Sequence, residues 1–239
     1  MPVSRPPLLL TRPQAQSLRF AGLCRDRLGG DVPIVVSPIL TIRFRDDAVD
    51  LDGFAGVIAT SGNGIEALAR LGDLTGIIAY CVGNRTADLA RSHGMNAVSA
   101  QGDVGDLIAL VRKAAPTGLL LHVRGEVARA DIAGPLETVG VKVQSTVLYD
   151  QVAVDLTEAA RALLQRHDPV VLPIFSPRSA DLLSGACKNA RTPLRIAALS
   201  PAVADAWHGP APETLKIAKK PDANSMLCTL CDIYTGESA

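Results

Sequence analysis

The stretch AYCVGNRTADLARSHG, residues 79–94, decides the fold because it recurs in altered form as AALSPAVADAWHG, residues 197–209. Each copy runs from an apolar strand through a short turn into an Ala-rich helical pattern, and each ends in His-Gly. A second pair, GVIATSGNGIEALARL (56–71) and LPIFSPRSADLLSGA (172–186), precedes the first pair in the same order. Two copies of one strand–turn–helix design predict two similar α/β lobes.

Apolar runs alternate with helical patterns along the rest of the chain, which indicates mostly parallel sheets. Two segments rich in β-branched residues, about 33–45 and 144–155, bracket the middle copy, and each is expected to form one long strand. We therefore predict an α/β fold with two flavodoxin-like parallel-sheet domains, one of them discontinuous, joined by a two-stranded antiparallel β linker. The predicted bounds are 1–33 plus 156–239 for the discontinuous domain, 46–143 for the inserted domain, and 34–45 with 144–155 for the linker.

Composition narrows the function classes. Basic and acidic residues balance at 24 each among 239 residues, which argues against a nucleic-acid or membrane-surface partner. The apolar runs are shorter than the roughly 18 residues of a membrane span, and the N-terminal leucines are too few for a signal peptide, so we predict a cytoplasmic protein. Five scattered cysteines fit reduced thiols better than a disulfide framework.

Motifs for bound phosphate, metal or hydrolytic chemistry are missing from the sequence. It holds no G-x-x-x-x-G-K-[ST], no G-x-G-x-x-G after a strand and no G-x-S-x-G. The histidines lack metal-ligand spacing, and His93 and His208 are expected at equivalent helix ends, where the helix dipole favours them. Cys228 and Cys231 form a C-x-x-C inside an amphipathic helical pattern, which favours helix packing over a zinc or redox site. We predict no metal and no cofactor.

The turns that follow the apolar strands are the candidate binding region. In open α/β sheets, ligands bind at the carboxyl ends of the strands, where helix N-termini favour anions. Any one such turn is accounted for by helix capping alone, but several turns with arginine nearby point to a ligand with several acid groups. The candidate substrate-binding residues are Arg12, Ser61, Asn63, Gly83, Thr86, Arg124, Gly125, Arg129, Ser176, Arg178 and Ser200.

Seven stretches together resemble one family in their order along the chain. They are LLLTRP (8–13), IATSGNGIEAL (58–68), CVGNRTADLARSHG (81–94), LLHVRGEVARADI (120–132), VLYDQ (147–151), FSPRSADLL (175–183) and AKKPDANSML (218–227). The family is uroporphyrinogen-III synthase. The resemblance implies two α/β domains joined by a β ladder, and a cofactor-free reaction in tetrapyrrole synthesis. In that reaction hydroxymethylbilane loses water and closes to uroporphyrinogen III with its last pyrrole ring inverted.

The resemblance also assigns roles. Tyr149 matches the family's tyrosine and is our predicted catalytic proton donor, although a packing role at the linker is the alternative. Thr86, Ser61 and Ser176 match residues of the family, and we expect all three to bind the carboxylates or the hydroxyl of the substrate. One position departs from the family pattern, because Val203 stands where a threonine is expected.

Two other functions stay open at this point. A non-catalytic two-domain protein that binds a small polycarboxylate would share the same turns and linker. A degenerate synthase kept as a regulatory module would be compatible with Val203. The predicted partners are the small-molecule substrate and, transiently, the enzymes that precede and follow in the pathway, with no nucleic acid and no membrane.

Overall fold

The computed structural model describes residues 5–46, 49–127 and 131–236. The chain divides into two compact units, which we call unit 1 and unit 2. Unit 1 holds the described residues up to Thr41 and from Val152 onward, and unit 2 holds those of Ile42–Gln151. The chain therefore passes from one unit to the other at two points, and each point lies within a strand.

The described residues form strands and helices that alternate for most of the chain. In order they are β1 (Leu8–Leu10), α1 (Gln14–Leu28), β2 (Ile34–Val36), β3 (Leu40–Phe44), β4 (Gly56–Ala59), α2 (Gly62–Ala69), β5 (Ile78–Cys81), α3 (Asn84–Ser92), β6 (Asn96–Ser99), α4 (Val104–Ala114), β7 (Leu119–Gly125), α5 (Ala133–Glu137), β8 (Lys142–Ala153), α6 (Glu158–Leu164), β9 (Val170–Ile174), α7 (Pro177–Ala186), β10 (Leu194–Ala198), α8 (Pro201–Asp205), β11 (Thr214–Ile217) and α9 (Ala223–Thr235).

Local chemistry explains where several helices begin and end. α4 starts at a capping box, in which the Asp103 carboxylate accepts from two backbone N–H groups and Asp106 bonds back to the Asp103 N–H. α1 ends at Gly29, whose φ of 100° suits a residue without a side chain. α9 starts where the Asp222 side chain accepts from the Ser225 N–H. Such caps are readable from the sequence.

Each unit contains a parallel sheet with the same strand order. In unit 2 the order is β6-β5-β4-β7-β8, with β3 added beside β8. In unit 1 it is β11-β10-β9-β1-β2. If the strands of unit 2 are numbered along the chain from β4, their order in the sheet reads 3-2-1-4-5. Unit 1 gives the same order when the numbering starts at β9 and continues from β11 to β1 and β2, because the insertion permutes its strands in sequence. The predicted α/β fold with two parallel-sheet units is confirmed. Numbered in plain chain order, the strands of unit 1 read 2-1-3-4-5, which is the order of a flavodoxin-like sheet.

The segment 33–45 is not one strand, contrary to expectation. It breaks at residues 37–39, where Pro38 has no N–H to continue a ladder. β2 before the break pairs in parallel with β1, and β3 after it lies beside β8. Backbone bonds join Arg45 to Leu148 and Val154 to Ile39, so the numbering falls on one strand as it rises on the other. The β3–β8 ladder is therefore antiparallel.

Aliphatic side chains fill the core on both faces of each sheet. In unit 2, Leu121 packs into one buried cluster while its neighbour Leu120 packs into another on the opposite face. Unit 1 repeats this arrangement with Leu9 and Leu8 of β1. Because the strand orders match, β1 corresponds to β7 and β9 corresponds to β4, which gives every residue at one sheet edge a counterpart in the other unit.

Candidate active site

The strand order of unit 2 reverses between β4 and β7, and such a switch point opens a crevice at the carboxyl ends of the strands. Ser61 follows β4 and Gly125 ends β7, and the two strands pair with Ala59 opposite Val123. Ser61 and Gly125 therefore lie on the two sides of the crevice. The third member is Tyr149, which comes from β8, the next strand along.

A hydrogen bond of 2.8 Å joins the Ser61 hydroxyl to the Tyr149 hydroxyl. Tyr149 is 7% exposed, whereas Ser61 is half-buried, so the pair reaches solvent on the serine side. Ser61 stands at the N-cap of α2, yet within the described residues its side chain makes no capping bond to that helix. Its hydroxyl contacts the tyrosine, a use that the capping preference of serine does not indicate.

Gly125 makes room for the tyrosine ring. A Cβ atom added there would lie 2.7 Å from Cε2 and 2.9 Å from Cζ of Tyr149, closer than carbon atoms can pack. The pairing of β7 with β8 shifts register between Arg124 and Gly125, and this irregularity puts Gly125 opposite Tyr149. The site thus needs both the register shift and a residue without a side chain.

The other predicted residues of unit 2 lie at neighbouring strand ends. Asn63 is half-buried in the first turn of α2, and Gly83 is the N-cap of α3. Thr86 is buried as the third residue of α3, where its N–H donates to the Gly83 carbonyl. Arg124 donates to the carbonyls of Gly125 and Glu126 at 3.1 Å each, so it holds the register shift from within. Arg129 lies outside the described residues.

The switch point of unit 1 lies between β9 and β1. Arg12 follows β1, and its guanidinium stacks 4.2 Å above the ring of Phe175, at the end of β9. Ser176 caps α7 by accepting from the Ser179 N–H, and its hydroxyl also bonds the Ser179 hydroxyl. Arg178 is exposed in the first turn of α7.

Ser200 is the N-cap of α8, which has only five residues. Val203, where the family pattern expects threonine, is 2% exposed and packs into an aliphatic cluster of unit 1. Its position three residues after the cap is the one that Thr86 occupies in α3. The two side chains therefore differ in chemistry at equivalent, buried positions.

The prediction of two equivalent histidine helix ends is half right. His93 is the C-cap of α3, but His208 lies beyond α8, which ends at Asp205. Both imidazoles nevertheless face a carboxylate on the preceding helix. The Nε2–O distances are 3.8 Å for His93 with Glu66 and 3.6 Å for His208 with Asp181.

His122 is a buried histidine that sequence reasoning passed over. It lies on β7 at the position that Leu10 occupies on β1, and is 4% exposed. Its Nδ1 is 3.1 Å from the Ser145 hydroxyl, while Nε2 has no hydrogen-bond partner in the part of the chain that the structure describes. Burial and, to a smaller extent, the nearby Arg124 charge lower the pKa of His122 to about 4, against an opposing effect of Asp131. The side chain is neutral at pH 7.

Two further groups were not among the predicted site residues. Phe175 supports Arg12, and Asp150 next to Tyr149 binds Arg45 from the end of β3, a pair 105 positions apart in sequence. Thiol chemistry is disfavoured at the buried cysteines, because burial raises the pKa of Cys24 and Cys187 to about 12 and that of Cys81 to about 11. In the described residues no helix is long and apolar enough to cross a membrane.

Comparison with known proteins places the chain in a family. The family model for uroporphyrinogen-III synthase HemD matches residues 20–228. The crystal structure of uroporphyrinogen-III synthetase from Helicobacter pylori 26695 is similar over 95% of this chain and 99% of its own, at 14% identity and a TM-score of 0.65. A mutant uroporphyrinogen III synthase from the extremely thermophilic bacterium Thermus thermophilus matches 97% of this chain and 100% of its own, at 15% identity and a TM-score of 0.47.

No curated protein sequence is a significant match. The Helicobacter structure shares the fold, and the sequence match is what carries the family. Because the family model matches far more than half of the residues of this chain, the chain belongs to the uroporphyrinogen-III synthase family.

Proposed function

We propose that the chain catalyses the reaction of its family, in which hydroxymethylbilane is dehydrated and closed to uroporphyrinogen III with the last ring inverted. The observation that carries this proposal is the Ser61–Tyr149 hydrogen bond at the switch point of unit 2. This bond supports a role for Tyr149 as an oriented proton donor, because the pair lies at a strand edge where ligands commonly bind in sheets of this kind. Family membership and local geometry support the same activity independently.

Tyr149 would protonate the departing hydroxyl of the substrate. The C–O bond breaks, the electron pair leaves with water, and an electrophilic azafulvenium cation remains on the first ring. If the Ser61 hydroxyl is the donor of the hydrogen bond to the Tyr149 oxygen, the tyrosine proton is free for the substrate. The phenolate that is left behind then still accepts a hydrogen bond from Ser61.

The remaining steps need little covalent help from the protein. The substituted carbon of the last ring attacks the azafulvenium cation, the spiro intermediate fragments, and the ring closes again at its other carbon. The proton lost from that carbon restores Tyr149, so water is the only net product besides the macrocycle. Because the free substrate closes unaided to isomer I, the protein must hold it so that the uninverted attack is blocked.

Substrate acid groups require donors, and we assign these to the strand-edge residues of the two units. In unit 2 they are Ser61, Asn63, Gly83, Thr86, Arg124 and Gly125, and we also assign Arg129, which lies outside the described residues. In unit 1 they are Arg12, Ser176, Arg178 and Ser200. Support comes from the N-termini of α2 and α3. Within the described ranges, neither N-cap residue, Ser61 or Gly83, makes a side-chain hydrogen bond to its helix. First-turn N–H groups of these helices are therefore available to substrate carboxylates.

We place this activity in the cytoplasm, because all five cysteines are free thiols, as a reducing compartment favours. The instability of the substrate supports transient contact with the enzyme that makes it and with the enzyme that uses the product. Both assignments are proposals of the same kind as the site residues.

The deciding experiment is an isomer analysis. Purified protein receives freshly made hydroxymethylbilane, the product is oxidised, and isomers I and III are separated by chromatography. We expect mainly isomer III, while buffer alone gives isomer I. A polycarboxylate-binding protein or a degenerate synthase would leave isomer I as the main product and would contradict the proposal.

A further inference from the structure

Asp150, the residue after Tyr149, carries a buried carboxylate that the proposed chemistry does not use. Its side chain is 8% exposed and is held by two arginines. Arg45 approaches in a two-pronged manner, with Nη2 at 2.6 Å from Oδ1 and Nε at 3.2 Å from Oδ2. Arg43 adds a contact of 3.3 Å to Oδ2 but is itself mostly exposed. The arginine hydrogen bonds, Arg45 first, hold the pKa of Asp150 below its usual range.

Arg45 secures the strand on both sides of the tyrosine. Its backbone N–H donates to the Leu148 carbonyl at 2.9 Å, while its guanidinium binds the Asp150 carboxylate. Across the other edge of β8, the Glu126 N–H donates to the Tyr149 carbonyl at 3.0 Å. The Glu126 carboxylate lies 3.8 Å from the Arg45 guanidinium, so the two flanking segments also contact each other. Among the described residues, Arg45 and Arg43 are the charged groups that act directly on Asp150.

This arrangement matters because the tyrosine sits at a register shift. Tyr149 is opposite Gly125 only because β7 and β8 slip by one residue there, and a slip sends a side chain to the other face of a sheet. Backbone pairing is weakest at such an irregularity. A charged, two-pronged contact on the adjacent residue can fix the register. It costs little side-chain entropy, because the planar guanidinium already matches the geometry of a carboxylate.

We propose that Asp150, held by Arg45, is a positioning residue that keeps the Tyr149 hydroxyl within bonding distance of Ser61. The inference rests on the proposed catalytic role of Tyr149 and adds a determinant of the rate. Asp150 touches no reacting atom in this scheme. Its substitution should lower kcat through misplacement of the tyrosine, with little effect on substrate affinity.

The kinetic test uses Asp150→Asn, which keeps the shape of the side chain but removes its charge. We expect kcat to fall roughly tenfold, within the range that small misplacements cause, while KM changes less than about twofold. Arg45→Lys, which keeps the charge but not the fork, should give the same pattern and serves if Asp150→Asn does not fold. The double variant should be no slower than the slower single variant, because both break one contact. Arg166→Gln, at an exposed arginine that pairs only with Asp168 among the ion pairs of the described residues, is the matched control and should retain the parent kcat.

A spectroscopic test separates this inference from the proposed function. The chain has only three tyrosines, so fluorotyrosine labelling gives three ¹⁹F resonances that Tyr→Phe variants assign. Asp150→Asn should move or broaden the Tyr149 resonance, as Ser61→Ala should also do, and leave the resonances of Tyr80 and Tyr234 in place. A lower kcat with an unmoved Tyr149 resonance would overturn the inference, and so would an unchanged kcat. If Tyr149→Phe proves fully active, the proposed catalytic role fails, yet the ¹⁹F spectrum still decides whether Asp150 positions the tyrosine.

Discussion

The switch points of the two units have the same strand order but use their serines differently. Ser61 and Ser176 both follow the first-counted strand of their sheet and both occupy the N-cap of the next helix. Ser176 caps its helix, whereas Ser61 bonds Tyr149. Opposite these serines lie Gly125 under a tyrosine ring in unit 2 and Arg12 over a phenylalanine ring in unit 1.

From these different contacts we infer that the two similar units have different roles. In the proposed mechanism unit 2 supplies the proton donor, and the Ser61 hydroxyl bonds Tyr149 instead of capping α2. Unit 1 holds a cation stacked on an aromatic face, which suits binding of a carboxylate and offers no proton donor at the same place. The substitutions below test this difference in roles, beginning with the largest effect.

Tyr149→Phe should reduce kcat for uroporphyrinogen III formation roughly 100-fold, the contribution of a typical general acid, and leave KM within about threefold. The matched control is Tyr234→Phe in unit 1, because the Tyr234 hydroxyl donates to the Pro6 carbonyl at 2.9 Å, a structural contact. That control should cost about 1 kcal/mol of stability and keep the parent kcat. Steady-state kinetics with isomer analysis checks both, and equal kcat values for the two variants would remove the catalytic distinction between the units.

The second prediction replaces His122 by Leu, the residue at the equivalent position of unit 1. The folded pKa of His122 is about 4, below the ordinary 6.5 of the unfolded chain, so the unfolded state binds the proton first as pH falls. Stability from this group is thus complete above pH 6.5 and is lost between pH 6.5 and 4. At pH 5 the loss is ~2 kcal/mol.

His122→Leu should abolish that part of the acid sensitivity and add about 1 kcal/mol at pH 8, because the unpartnered Nε2 is removed. Urea unfolding of parent and variant at pH 8 and pH 5 measures the difference. His167→Gln, at an exposed histidine, is the control and should follow the parent. A constant gap between His122→Leu and the parent at both pH values would show that His122 does not titrate in this window.

The two serines provide the third and most direct comparison. Ser61→Ala should lower kcat about tenfold through loss of the bond to Tyr149, with stability changed by less than about 0.5 kcal/mol since no cap is lost. Ser176→Ala should cost about 1 kcal/mol of stability, as lost caps do, and raise KM at most a few-fold. Thermal unfolding and kinetics on both variants decide the matter. If both variants behaved alike, the serines would serve the same purpose.

How much of this arrangement the sequence could predict depends on the range of the interaction. Alternating apolar runs and caps such as Asp103 are local, so most strands and helices were predictable within a few residues. Tyr149, Ser61 and Gly125 were each predicted site residues, from the family resemblance and the turn pattern. Their meeting was not predictable, because it depends on the strand order and on a one-residue register shift.

Three other features of the structure were also not predicted from the sequence. The Arg45–Asp150 pair joins the end of β3 to β8, and nothing in either local sequence indicates the other. The break at Pro38 was visible in the sequence but was outweighed by β-branched neighbours. The unpartnered nitrogen of His122 contradicts the rule that buried polar groups are paired, so no sequence pattern points to it.

The smallest expected effect concerns Val203, where the family pattern expects threonine. Because Val203 packs among aliphatic residues at 2% exposure, Val203→Thr would bury a hydroxyl and cost roughly 1 kcal/mol of stability. We expect kcat to change less than about twofold, since α8 is too short to present a strong helix end and Ser200 already supplies a hydroxyl at its start. The reciprocal Thr86→Val in unit 2 should raise KM more than Val203→Thr lowers it, since α3 is nine residues long and begins at an N-cap glycine that has no hydroxyl. A several-fold gain in kcat/KM from Val203→Thr would instead mean that unit 1 lost a binding group that unit 2 retains.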